Sequence, residues 1–149
     1  MKEEIVADST CLIGLERIGR LDLLSELFEP VVIPAEVARE FGVSFDWLTV
    51  ESPANDALVT SLKLVIDRGE AEVVALAYEK RWQVLLDDRQ ARAVAKQMGL
   101  RIIGTVGALV LAKQQSMIPS LRTLLAQLEA HNFYLSADLR EEALRLVNE

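Results

Sequence analysis

Residues 84–88 read Val84-Leu85-Leu86-Asp87-Asp88, a short apolar run that ends on two acids directly before a helical pattern. The start of the chain repeats the arrangement with Ile5-Val6-Ala7-Asp8. Short apolar runs of this kind indicate buried strands. If the two strands are parallel neighbours, their acids lie at the carboxyl ends of the sheet, where open α/β folds bind ligands. Carboxylates gathered there repel one another unless a cation neutralises them, so the sequence predicts a metal site.

Strand-like and helical patterns alternate along the whole chain, and this alternation predicts a mostly parallel sheet covered by helices on both faces. The predicted strands are 4–7, 31–33, 47–50, 83–86 and 101–103. The predicted helices are 12–28, broken near Gly19, then 34–41, 54–65, 69–80, 88–98, 104–115, 119–130 and about 137–148. We therefore expect an α/β fold with about five strands, in one domain over residues 1–149.

The last predicted helix is amphipathic, and it carries an apolar stripe on one side. Packing of this stripe on its own domain explains the pattern, and so does a contact with a partner protein or with a second copy of the chain. We expect a homodimer. The stripe consists of Leu139, Ala143, Leu146 and Val147.

Composition narrows the chemistry of any site. Cys11 is the only cysteine and His131 the only histidine, which excludes cysteine-based zinc clusters and histidine-rich metal sites. We expect a buried Cys11 and place His131 at a helix end. The net charge of -7 argues against nucleic-acid binding by the whole surface, but not against a site that reaches phosphates through bound cations. The chain lacks a long apolar stretch, so we expect a cytoplasmic protein without a membrane span.

Glu40 is the acid that helix stability explains least well. Gly42 marks the end of its helix, so Glu40 lies in the last turn, where the helix dipole disfavours a negative charge by several tenths of a kcal/mol. Glu36 lies in the first turn of the same helix, where the dipole favours it. We therefore favour Glu40 over Glu36 as a functional residue.

The other acids each have a structural explanation. Asp8 and Asp88 precede helices and suit the N-cap position, and for Asp8 taken alone capping is the stronger explanation. Glu70 and Glu72 follow Gly69 at a helix start, where acids are favoured electrostatically. Their spacing points them in different directions, so only one of them faces a shared site. Asp87 ends its strand, and either Asp87 or Asp88 could be the acid that faces the shared site.

Further polar residues lie near these acids. Arg89, Arg92 and Lys96 share one helix face and could guide a nucleic-acid backbone, although a solvated helix face is the stronger explanation of them. Ser9 and Thr105 offer hydroxyl groups for substrate binding. The turn Gly104-Thr105-Val106-Gly107 opens a helix after a strand, as phosphate-binding turns do, but it lacks the Lys of a P-loop.

The order and spacing of four segments resemble the PIN domain. They are Ile5-Val6-Ala7-Asp8-Ser9-Thr10, then Pro34 with Glu40 six residues later, then Gly69-Glu70-Ala71-Glu72-Val73-Val74-Ala75-Leu76-Ala77, then Leu85-Leu86-Asp87-Asp88. The stretch from Asp87 through Gly99 to Thr105 is similar to the DUF3368 branch of PIN-like proteins. The resemblance covers about residues 4–130.

This resemblance implies a three-layer α/β/α domain with metal-dependent ribonuclease activity of the kind seen in VapC toxins of toxin and antitoxin pairs. Carried over by position, the four family acids are Asp8, Glu40, Glu70 and Asp88, and they would hold Mg²⁺ or Mn²⁺. The third acid is often Asp in the wider family and is Glu here. Asp87 also remains a candidate metal ligand, and Glu72 an alternative to Glu70.

Three functions compete at this point. The first is a metal-dependent endoribonuclease that cleaves RNA and has an antitoxin protein as a partner. The second is a PIN-like binding or regulatory protein with little catalysis. The third is a receiver-like phosphoacceptor domain, which requires a Lys after its last strand, where this chain has Gly104-Thr105. We rank them in that order.

Overall fold

The structure is a computed structural model, and it describes residues 2–149. The first half of the chain forms β1 (Glu3–Ala7), α1 (Ser9–Arg17), α2 (Asp22–Leu27), β2 (Phe28–Ile33), α3 (Ala35–Phe41), β3 (Leu48–Val50) and α4 (Asp56–Leu62). The second half forms α5 (Arg68–Lys80), β4 (Gln83–Leu85), α6 (Arg89–Gln97), β5 (Ile102–Ile103), α7 (Thr105–Gln114), α8 (Leu121–Ala130) and α9 (Ala137–Leu146).

The five strands form one sheet in the order β3-β2-β1-β4-β5, and every neighbouring pair is parallel. Ile5, Val6 and Ala7 of the central strand are fully buried. Successive side chains of a strand point to opposite faces, so helices must cover both faces of the sheet. The predicted three-layer α/β/α fold is therefore confirmed.

Strands β1 and β4 are direct neighbours, as the sequence predicts. Val6 is aligned with Val84 and Ala7 with Leu85, and the Asp8 amide continues the ladder by donating to the Leu85 carbonyl at 3.1 Å. Both strands therefore end at the same edge of the sheet. The residues that follow them, Asp8 on one side and Asp87 and Asp88 on the other, start at that edge.

The structure corrects the prediction for residues 9–33. Helix α1 starts at Ser9 rather than at residue 12, α2 ends at Leu27, and β2 begins at Phe28 rather than at residue 31. Pro30 lowers the strand signal of this segment, because proline cannot donate a ladder hydrogen bond. Pairing of Phe28 with Glu3 of β1, a contact distant in sequence, nevertheless extends the strand.

Helix α9 packs against α7 and α8 and buries Ala143 and Leu144. Two members of the predicted apolar stripe, Leu139 and Leu146, are about half exposed. The stripe is therefore only partly used for packing within the domain. No helix among residues 2–149 is both long and apolar enough to span a bilayer.

Candidate active site

Six carboxylates meet at the carboxyl edge of the sheet, and we call them the acid cluster. The pKa of Asp8 rises from 3.8 to about 7, mainly because the side chain is buried and also because Asp67, Glu40 and Asp87 place negative charge nearby. The pKa of Glu70 rises to about 7 through burial and through the charges of Asp67, Asp88 and Asp8. The members are Asp8, Glu40, Asp67, Glu70, Asp87 and Asp88.

Asp8 does not act as the helix cap that its sequence position suggests. It occupies the N-cap position of α1, but its side chain makes no capping hydrogen bond. Only 4% of the residue is exposed. Capping, which is the stronger explanation of Asp8 taken alone, is therefore wrong. The structure leaves a buried carboxylate among other acids, an arrangement that costs stability and calls for another role.

Glu40 lies in the last turn of α3, before the left-handed Gly42, as the sequence predicts. Its carboxylate rests on the first turn of α5, where a Cβ added at Gly69 would overlap Glu40 Oε1. The end of α3 disfavours this negative charge, whereas the amide-rich start of α5 favours it. Burial is the largest cause that raises the pKa of Glu40, followed by the charge of Asp67. The absence of a side chain at Gly69 is what lets Glu40 reach the cluster.

Asp67 belongs to the cluster, although the sequence analysis did not identify it. It is the N-cap of α5, and its Oδ1 accepts from the Glu70 amide at 2.8 Å. Glu70 Oε1 in turn accepts from the Asp67 amide at 3.4 Å, which completes a capping box. The signal was present in the Asp-x-x-Glu spacing that precedes an apolar helix.

Glu70 and Glu72 have different environments, as their spacing predicts. Glu72 is only 8% exposed and lies away from Asp8, where its carboxylate accepts from the Glu36 amide at 3.4 Å and from Arg68 Nε at 3.2 Å. It thereby joins the start of α3 to the start of α5. Glu70 is the member of the pair that faces Asp8 and Asp88.

Asp87 and Asp88 also differ in what they contact. Asp87 accepts from the Thr105 amide at 2.9 Å through Oδ1 and from the Thr105 hydroxyl at 2.5 Å through Oδ2. Asp88 is exposed and caps α6, accepting from the Ala91 amide at 2.9 Å through Oδ2 alone. Both oxygens of Asp87 are thus engaged in holding the start of α7, and Asp88 is the more accessible carboxylate.

The two hydroxyl groups expected at a substrate surface lie inside the protein. Thr105 is fully buried and donates its hydroxyl to Asp87, while Ser9 is buried beside Asp8. Thr105 therefore holds the Asp87 carboxylate in place, and its hydroxyl does not reach the surface where a substrate would bind.

The donor set fits a hard divalent cation, because carboxylate oxygens are the ligands that Mg²⁺ and Mn²⁺ prefer. Burial first, and the neighbouring carboxylates second, raise the pKa of Asp8 and of Glu70, so ionised carboxylates are unfavourable here unless a cation compensates them. Within residues 2–149, however, no three His, Cys, Asp or Glu side chains are arranged to hold an ion as they stand. Glu70 and Asp88 each use one carboxylate oxygen in a hydrogen bond at the start of their own helix, which leaves the other oxygen of each available to an ion.

A groove of about 1140 Å³ adjoins the cluster, with Glu70, Asp87 and Asp88 in its lining. The three basic residues that share a face of α6 all line it, as does Arg17 of α1. The sequence alone offers two explanations of the residues on α6, a solvated helix face and a path for a nucleic-acid backbone. Their position beside the acids is what a nucleic-acid path requires. The basic residues on α6 are Arg89, Arg92 and Lys96.

The chain matches the model of one known protein family. A family model described as a PIN domain, DUF3368, matches residues 4–149. Among solved structures, the chain is similar to a PilT N-terminus domain protein from the hyperthermophilic archaeon Sulfolobus solfataricus P2, with 14% identity and a TM-score of 0.48. The similarity covers 73% of this chain and 92% of that chain. No curated protein matches.

Proposed function

Because the chain belongs to the DUF3368 family of PIN domains, we propose that it is a metal-dependent endoribonuclease that hydrolyses RNA phosphodiester bonds. PIN domains are generally nucleases and usually use divalent metal ions. The observation that carries the proposal is the convergence of Asp8, Glu40, Glu70 and Asp88, from four different elements, at one edge of the sheet.

We infer that Asp8, Glu40, Glu70 and Asp88 hold Mg²⁺ or Mn²⁺. When bound, such ions supply an activated water and neutralise the charge that develops on the phosphate. The buried Asp8 anchors the site on β1, where the backbone is held by the sheet. Neither a cysteine nor a histidine is needed for this chemistry.

Two further acids are assigned positioning roles. Asp87 uses both carboxylate oxygens to fix Thr105 at the start of α7, so it holds the turn from which Asp88 extends. Asp67 fixes the first turn of α5 and thereby the backbone of Glu70. This assignment moves Asp87 from the predicted metal ligands to the residues that shape the site.

The family resemblance extends the proposal to a biological role. We propose that the enzyme acts on cytoplasmic RNA as the toxin of a toxin and antitoxin pair, restrained by an antitoxin protein. The half-exposed Leu146 of α9 lies outside the groove beside the acid cluster and is available for a contact with a second copy of the chain, which supports a homodimer.

The proposal is tested by RNA cleavage with Mg²⁺, with Mn²⁺ and with EDTA, in wild type and in two matched variants. Glu70→Gln removes a carboxylate of the cluster and should lower the rate at least about a hundredfold, the size of effect seen when one catalytic electrostatic contact is lost. Glu26→Gln removes an exposed carboxylate of α2, outside the acid cluster, and should cleave at nearly the wild-type rate. Cleavage that persists in EDTA, or equal rates in the two variants, would contradict the proposal.

A further inference from the structure

The groove beside the acid cluster has an exposed aromatic residue on its far wall. Residues 131–136 connect α8 to α9, and their lining of the groove includes Phe133 and Tyr134. Tyr134 is 85% exposed, more than any other large hydrophobic residue that the structure describes. Its ring therefore contributes little to the core.

The connection that carries Tyr134 is firmly held. Phe133 packs on α1 at Gly14, where an added Cβ would lie 3.0 Å from Phe133 Cδ2. The Phe133 amide donates to the Leu128 carbonyl at 2.9 Å, and Leu135 is buried on the other side of Tyr134. The ring of Tyr134 is thus presented to the groove by a backbone fixed on both sides, and binding there costs little ordering entropy.

The basic residues of the groove lie beside three acids, Glu70, Asp87 and Asp88, and the charge of Arg92 acts on Asp87. Arg17, Arg89, Arg92 and Lys96 line the groove, and none of them forms an ion pair with a carboxylate of residues 2–149. Arg17 and Arg92 donate instead to backbone carbonyls, of His131 at 3.5 Å and of Leu86 at 2.7 Å. Arg17, Arg89 and Lys96 therefore remain without a carboxylate partner among the described residues, and in a chain with a net charge of -7 three such cations in one groove indicate an anionic ligand.

We propose that Tyr134 positions the RNA substrate in this groove as a stacking platform for one base, with Arg17, Arg89 and Lys96 contacting the phosphate backbone on either side of it. Ile13, Val106 and Leu128 add apolar surface to the same groove. Unpaired bases stack on aromatic side chains, whereas the bases of a duplex are stacked on one another and unavailable. The inference rests on the proposed function, because it names residues that bind the substrate at that same site.

The stacking role is tested by fluorescence anisotropy with a short fluorescein-labelled oligouridine in EDTA, which prevents metal-dependent cleavage. Tyr134→Ala should raise the Kd roughly tenfold, the usual effect of losing one stacked base. Tyr134→Phe keeps the ring and should bind like wild type. Tyr78→Ala is the matched control, because Tyr78 is also exposed but lies on α5 outside the groove. RNA carrying 4-thiouridine should crosslink to Tyr134.

The electrostatic role is tested by the salt dependence of the same Kd. Lys96→Ala should reduce the slope of log Kd against log salt concentration by about 0.7, the value for one phosphate contact with a single strand. Lys63→Ala removes an exposed lysine that lines a different groove, and should leave the slope unchanged.

Wild-type affinity in Tyr134→Ala, or an unchanged slope in Lys96→Ala, overturns the inference and leaves the groove to a protein partner. Failure of the proposed function is recognised separately. If the oligouridine binds in the groove but no divalent ion supports cleavage, the nuclease proposal fails and the binding site stands. If RNA is cleaved with metal while the groove variants bind normally, only the groove assignment fails.

Discussion

At the scale of one residue, Asp8 is a buried carboxylate that lowers the stability of the fold, unlike the apolar side chains buried beside it. A carboxyl group that is 4% exposed and surrounded by other acids destabilises the fold whenever it is ionised. The neighbouring β1 residues Ile5, Val6 and Ala7 are buried at no such cost. The local sequence around Asp8 therefore trades stability for a carboxylate at the end of the central strand.

This trade predicts the pH dependence of stability. Burial raises the pKa of Asp8 to about 7 in the folded protein, above the value of 3.8 expected for an exposed group. The folded state then binds more protons than the unfolded state, so the contribution of Asp8 to stability is present below about pH 4 and is lost as the pH rises through about 7. The loss amounts to roughly 4 kcal/mol.

Urea denaturation in EDTA, at about pH 5 and about pH 8, spans roughly 2.6 kcal/mol of this loss and should show it as a lower free energy of unfolding at the higher pH. Asp8→Asn cannot ionise and should show a clearly shallower dependence, with Glu70 and the other acids responsible for what remains. The same pH dependence in both proteins would show that Asp8 ionises freely in the folded state.

At the scale of the element, helix starts provide the scaffold of the acid cluster. Helices α1, α5, α6 and α7 all begin at the carboxyl edge of the sheet, next to Asp8, Asp67, Asp88 and Asp87 respectively. The amino ends of helices carry partial positive charge and unpaired amides. Four such ends directed at one place allow acids to gather there before any cation binds.

Asp88 combines a capping role with its proposed catalytic role, and two substitutions separate them. Asp88→Asn keeps an oxygen that can accept from the Ala91 amide, so stability should stay near that of wild type while RNA cleavage is lost. Asp88→Ala loses the cap as well and should lower the free energy of unfolding by about 1 kcal/mol. Thermal denaturation and a cleavage assay measure the two effects. Wild-type cleavage by Asp88→Asn would restrict Asp88 to capping.

At the scale of the whole molecule, charge is unevenly distributed. The chain carries a net charge of -7, yet one groove holds three cations without an ion pair, Arg17, Arg89 and Lys96, and adjoins a cluster of six acids. A bound cation would make this edge of the sheet attractive to a phosphate and relieve the repulsion within the cluster. Metal binding and folding stability are therefore coupled.

The coupling predicts that Mn²⁺ raises the Tm of the wild-type protein near neutral pH. An ion at about a hundred times its Kd stabilises the folded state by about 2.7 kcal/mol, which for a domain of this size corresponds to a shift of several °C. Glu26→Gln, at an exposed position of α2, should show the full shift, and Asp8→Asn a much smaller one. Differential scanning calorimetry with and without Mn²⁺ gives the answer, and equal shifts in wild type and Asp8→Asn would place the ion elsewhere.

Much of the fold was predictable because its signals are local. The apolar runs of β1 and β4, the Gly42 stop after α3 and the alternation of strands with helices each depend on a few neighbouring residues. The segment around Phe28 was not predictable, because its strand pairs with β1 across a large gap in sequence. Asp67 was not predicted for a related reason. In the sequence it is explained by a capping box alone, and only the folded chain brings it beside Asp8 and Glu40.

The sequence by itself determined the α/β architecture and the acids that follow its strands, because hydrophobic period and strand-end position are properties of short segments. Only the tertiary structure decided which side chains share an environment. It turned Glu72 towards Glu36, buried Thr105 beneath Asp87, and held Tyr134 outward over a groove of unpaired cations. Such choices arise from packing between elements distant in the chain, where burial and neighbouring charge set what each group can do.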